Sequence, residues 1–251
     1  MWSVGGSKGR TVDVYLSRRE VAAVDADGAL WRWDGDTLDL ALGALGERLR
    51  ATGRPRSVRM WLGADLCRPV HVELIAGTRS RQERLQVAHL TAVAESRLAA
   101  PCRVDIDANA NGGDDLAVVV EESTLRAIED ALSAVRTRAV SIRPWWAEAM
   151  ASALRANASL RAFGVWEGRA LTTLVGGGRR FSSAQTLYPV DTVEAAAASF
   201  ARTQVSAMVA PEDAFAVALD WSSSTELDVR PLGNATDAVF TPWVRRLGVA
   251  S

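Results

Sequence analysis

The sequence predicts an α/β protein with mixed sheets, built as two similar lobes with a subdomain inserted between them. Three observations carry this. A set of three short alternating segments, then a helix-period stretch, then an apolar strand, occurs over residues 11–64 and again over 159–222. The stretch between holds three further helical patterns and several strands that belong to neither set. With 251 residues, 48% of them hydrophobic and 24% charged, the chain can bury cores of that size.

In chain order, "TVDVYLS", "EVAAVDA" and "ALWRW" form the first meander, with a hairpin turn at Asp27-Gly28. Thr37 is placed to cap a helix carrying Leu38, Leu42, Leu45 and Leu49 on one face. Strands are expected at 57–64 and 68–74. Ser80 and Glu83 form a capping box that opens a long helix to about Ala100. "DDLAVVVEE" reads as a buried strand, and Ser123 as the cap of a helix with Leu125, Ile128, Leu132 and Val135. "AVSIRP" is a short strand, and Pro144 suits the first turn of a helix starting at Trp145. "LRAFGVWEG", "RALTTLVGG" and "RRFSSAQTL" make the second meander, Thr192 heads a helix, and "AFAVALDWS" and "ELDVRPL" are the last strands.

Charge and composition exclude several functions. Lys+Arg number 29 against 30 Asp+Glu, a net charge of −1 without the basic excess of a nucleic-acid binder. Lys8 is the sole lysine, so Schiff-base or phosphate chemistry needing that side chain would rest on it. Two cysteines and two histidines give no zinc spacing and are expected as free thiols in a reducing compartment. There is no apolar run long enough for a membrane span and no signal-peptide pattern, which points to a cytoplasmic protein. GxGxxG, the P-loop spacing and GxSxG are all missing.

The repeated meander–helix–strand layout resembles the actin-like (RNase H-like) ATPase fold. The stretch "DDLAVVVEESTLRAIEDALSAVRTRAVSIRPWWAEAMASAL" resembles the inserted subdomain of the PilM/GspL group, the cytoplasmic assembly proteins of type IV pili and type II secretion. The likeness spans about residues 11–222 and divides the chain into a first lobe at 1–78, an inserted subdomain at 79–143, and a crossing helix with a shortened second lobe at 144–251. A complete second lobe would need one more helix and strand.

The resemblance implies a scaffold peripheral to the inner membrane. Such a scaffold binds the cytoplasmic tail of a membrane-anchored assembly protein, and some relatives engage the motor ATPase. It implies a tail groove between the first lobe and the inserted subdomain. Arg59 and Trp61 of "VRMWLG" are expected to serve it, with Arg59 and Met60 turned to the face opposite Trp61. Trp145 and Trp146 stand about 100° apart on a helix, so one is expected to pack internally and the other to face a partner. Trp31 and Trp33 share a strand face and read as structural.

Actin-like ATPases hold phosphate on two glycine-tipped hairpins, each with an acid beside the turn. Here the first turn, "YLSRRE", has no glycine and carries Arg18-Arg19; the second is Glu167-Gly168, with the acid at the tip and expected to face solvent. The hairpin shape is kept and its chemistry is read as lost, so no catalytic residue, cofactor or metal is expected. Two alternatives stand beside the scaffold. One is an ATP-binding assembly protein using Arg18, Glu167 and Gly168 with magnesium. The other is a metal-dependent nuclease using Asp13 and Asp220. Asp105, Asp107 and Asp114-Asp115 are read as solvated rather than as a metal site.

Overall fold

The computed structural model describes residues 11–24, 30–52, 57–73, 80–96, 101–106, 115–177, 180–220 and 228–231. Lys8, the Asp27-Gly28 turn, Asp107 and Asp114 lie outside them.

The first lobe is the five-stranded sheet β3-β2-β1-β4-β8, comprising β1 (Thr11–Leu16), β2 (Glu20–Val24), β3 (Leu30–Asp34), β4 (Ser57–Leu62) and β8 (Arg138–Pro144). The meander β1-β2-β3 is antiparallel, and β1, β4 and β8 run parallel. The second lobe repeats the order as β11-β10-β9-β12-β13, from β9 (Ala162–Glu167), β10 (Ala170–Gly177), β11 (Arg180–Leu187), β12 (Ala214–Asp220) and β13 (Asp228–Pro231). Its meander is antiparallel and β9 runs parallel to β12, but β13 returns antiparallel. The first lobe reaches its fifth strand through α3 (Glu122–Ala134), whereas β13 follows β12 without a helix among the described residues.

Parallel strands demand crossover connections, and the helices supply them. α1 (Leu38–Ala51) joins β3 to β4 and buries Leu42, Leu45 and Leu49 against the outer face of the first sheet, where Val14, Leu16, Met60 and Leu62 point. Thr37 caps it, its hydroxyl accepting from the Leu40 N–H at 3.3 Å. α5 (Val193–Ser206) does the same for the second lobe, capped by Thr192 and buried through Ala196 and Phe200. α4 (Trp145–Ala156) runs between the lobes. Its Trp145, Trp146, Ala149 and Ala153 join the inner faces of both sheets in one core with Tyr15, Trp61, Phe163 and Phe215.

Strand pairing redraws the inserted subdomain. β5 (Cys67–Val72), expected in the first lobe, pairs with β7 (Asp115–Glu121) in a separate sheet, β5-β7-β6, with β6 (Cys102–Ile106) on its other side. α2 (Arg81–Ser96) covers one face of that sheet. α3 and β8, expected in the insert, belong instead to the first lobe, because α3 packs against α1 and β8 extends the sheet beside β4. The insert therefore runs from β5 to β7. The Ser80–Glu83 capping box forms reciprocally, at 3.0 and 3.1 Å. Ser123 does not cap α3; Glu121 holds that position without a side-chain hydrogen bond.

Candidate functional site

Two places in this architecture carry candidate chemistry: the cleft where the two hairpin tips meet, and a groove beside the inserted sheet.

At the cleft, the β1–β2 turn is Ser17-Arg18-Arg19-Glu20. A phosphate-binding loop works by leaving its backbone N–H groups free for the anion. Here those of Arg18, Arg19 and Glu20 are taken. The Ser17 hydroxyl accepts from the Arg19 and Glu20 N–H groups at 3.3 and 3.0 Å, and Asp65 Oδ2 accepts from the Arg18 N–H at 2.8 Å. The Arg18 side chain turns away to the Asp65 carbonyl and to Glu121 Oε1, at 3.3 and 3.4 Å, tying the hairpin to the insert.

The β9–β10 turn faces it. Gly168 has φ +61, and a Cβ there would stand 3.7 Å from Glu20 Oε2, so the tips of the two lobes touch. Glu167, expected in solvent, is buried: it ends a strand whose six residues are all buried. Its Oε2 accepts from the Tyr15 hydroxyl at 3.1 Å and from the Ala64 N–H at 3.0 Å, while Oε1 has no hydrogen-bond partner. The side chain points inward because strand alternation carries it onto the face shared by Phe163 and Val165, which is the interlobe core.

Burial and the neighbouring Asp65 push the Glu167 carboxyl up to about 8, despite the opposing hydrogen bonds. Glu20, also desolvated, rises to about 7 even with Arg32 at 3.2 Å. Asp65 is raised by burial as well, against the pull of Arg18. The cleft thus presents three carboxyl groups, and its turn amides and the Arg18 side chain are engaged within the protein.

The remaining sites separate. Asp13 is ion-paired to Arg59 at 3.1 Å, and Asp220 ends β12 with its side chain outside the described set. Among the described residues no group of three or more His, Cys, Asp or Glu is placed to hold a metal. Asp105 is ion-paired to Arg81 at 3.0 Å. Thr172 shares a hydroxyl contact with Thr186 at 3.2 Å across β10 and β11.

The groove lies on the face of the inserted sheet opposite α2. It encloses about 630 Å³ between that face, α3, β8 and the start of α4, with Trp61, Val118, Val120, Leu125 and Ile142 among its walls. Trp61 is mostly buried in the interlobe core but reaches the groove wall. Arg59 shares its strand face, being two residues away, and Met60 takes the other, which corrects the expected alternation. Arg59 does not line the groove. Trp145 and Trp146 are both buried, at 1% and 0% exposure, so neither offers a surface to a partner. A helix clamped between two sheets has more than one buried side, and Trp146 Nε1 also donates to the Cys67 carbonyl at 2.9 Å. Trp31 packs on the first-lobe core beneath the Arg48 guanidinium.

No protein-family model matches this sequence, and neither does any curated protein. Solved structures do, and they define the class: the chain has an actin-like ATPase fold. It is similar to a Bacteroides thetaiotaomicron protein of actin-like ATPase fold and unknown function (TM-score 0.55, 10% identity, 89% of this chain and 87% of that one). It is similar to the cytoplasmic domain of EpsL, an inner-membrane component of the Vibrio cholerae type II secretion system (TM-score 0.52, 15% identity, 95% and 92%). It is also similar to a chain of the PilM–PilN type IV pilus biogenesis complex (TM-score 0.51, 13% identity, 71% and 61%), so the match spans about three fifths of that chain. Among the described residues no helix is long and apolar enough to cross a membrane.

Proposed function

We propose that this protein is a non-catalytic, actin-like scaffold of a pilus or type II secretion assembly platform. In this reading it sits at the inner membrane through its partners and binds the cytoplasmic tail of a membrane-anchored assembly protein in the groove beside the inserted sheet. The motor ATPase of the same apparatus is a second candidate partner. The observation that carries the reading is the state of the cleft: every turn amide of the first hairpin already has a protein acceptor, and Glu167 is buried against Tyr15 and Ala64. The similarity to a pilus complex and to a secretion component supports the choice of apparatus.

The alternative, an ATP-binding assembly protein, draws on the facing hairpins and the left-handed Gly168. It requires Asp65 and Ser17 to release their amides and phosphate to settle among three carboxyl groups, a costly rearrangement. Calorimetric titration with Mg·ATP tests the choice. No heat at concentrations that detect a Kd of about 1 mM, roughly −4 kcal/mol, is the expected result. Saturable binding lost on Glu167→Ala would overturn the scaffold reading in favour of the alternative.

A further inference from the structure

The groove carries a charge signature beyond its apolar walls. Arg103 stands on β6 directly across from Val120, on the groove face of the inserted sheet, and Arg143 stands on β8 across from Trp61. Both are exposed groove-lining residues, and neither forms an ion pair with any described residue. Two acids of the same walls are already neutralised, Asp105 by Arg81 at 3.0 Å and Glu148 by Arg155 at 3.2 Å. Glu129 alone of the lining acids has no counter-charge among the described residues, so two unpaired arginines stand against one unpaired acid over an apolar floor.

We infer that the segment taken by this groove is an extended acidic peptide, whose apolar side chains enter between the inserted sheet and α3 while its Asp or Glu side chains meet Arg103 and Arg143. This rests on the peptide-binding reading given above. A guanidinium offers a planar pair of N–H donors that a carboxylate matches with two parallel hydrogen bonds. A basic segment would bring like charge against both arginines.

The test uses three labelled synthetic peptides with one apolar core, flanked by Glu, Gln or Lys, and fluorescence anisotropy with the full chain. The Glu peptide is expected to bind about tenfold tighter than the Lys peptide at low salt, with the difference shrinking at high salt. Arg103→Glu combined with Arg143→Glu is expected to reverse the order. Both positions are exposed, so the fold should tolerate the exchange, and circular dichroism would check it. Equal binding of all three peptides, or preference for Lys, overturns the charge inference while leaving the groove as a peptide site. No binding by any of them overturns the peptide-binding reading itself and this inference with it.

Discussion

The Tyr15 hydroxyl of the first lobe donates to Glu167 Oε2 of the second at 3.1 Å, in a core that excludes solvent. The two lobes are thereby joined through a carboxyl group whose charge the site disfavours. Burial lifts Glu167 from 4.5 to about 8 and Glu20 from 4.5 to about 7. A group whose proton is held more tightly in the folded state contributes stability that is complete below its unfolded pKa and lost as pH rises through the folded value. Thermal stability is therefore expected to fall between about pH 5 and pH 8, by up to ~1.4 kcal/mol per unit for each group within its window. Glu167→Gln keeps an acceptor for Tyr15 and Ala64 and cannot ionise. Its melting temperature above pH 7 should exceed the wild type's, with a flatter profile; an unchanged profile would clear Glu167 as the source.

Trp146 is a core residue, and its replacement should show that before any partner is added. Trp146→Ala is expected to cost about 3–5 kcal/mol in denaturant unfolding. Trp146→Phe keeps most of the packing but strands the Cys67 carbonyl, at about 1–2 kcal/mol. A Trp146→Ala protein of wild-type stability would place the side chain on the surface.

Met208 and Arg136 hold left-handed backbone just past the ends of α5 and α3, at φ 53 and 57. Met208 is 88% exposed, so it gains nothing there from packing. Glycine adopts this conformation without steric cost. Met208→Gly and Arg136→Gly should each stabilise by about 1 kcal/mol, or raise Tm by ~2–4 °C. A lower Tm for both would contradict the helix-end geometry.

Gly164 lets α5 approach β9. A Cβ there would meet the Phe200 ring at 2.6 Å and the Ala216 Cβ at 3.0 Å. Gly164→Ala is expected to destabilise by about 1–3 kcal/mol. Thermal melts would show it, and a paired Gly164→Ala, Phe200→Leu variant should recover part of the loss.

Local signals carried far in this chain. Thr37, Thr192 and the Ser80–Glu83 pair cap their helices because capping is decided by neighbours three residues away, and both meanders form from alternation and short turns. Sheet membership is not local. β5 and β8 read as ordinary strands, and only pairing across the fold sends β5 to the insert and β8 to the first lobe. The tryptophans of α4 misled for the same reason, since a helix wheel knows one buried side and this helix has neighbours on both. Glu167 has the sharpest disagreement between residue type and place. Its position as the last residue of an otherwise apolar strand is a sequence sign that it continues the buried run, while its place next to the Gly168 turn points the other way.

The insert leaves the first lobe after β4 and returns to it through α3, yet its outer strand β5 lies alongside β11, the edge of the second lobe's sheet. It is a strut braced on both halves of the molecule. Cys67 on β5 forms part of the groove wall, so the strand that braces the second lobe also shapes the groove. One short strand thus serves as a wall of the groove and as the brace between the halves.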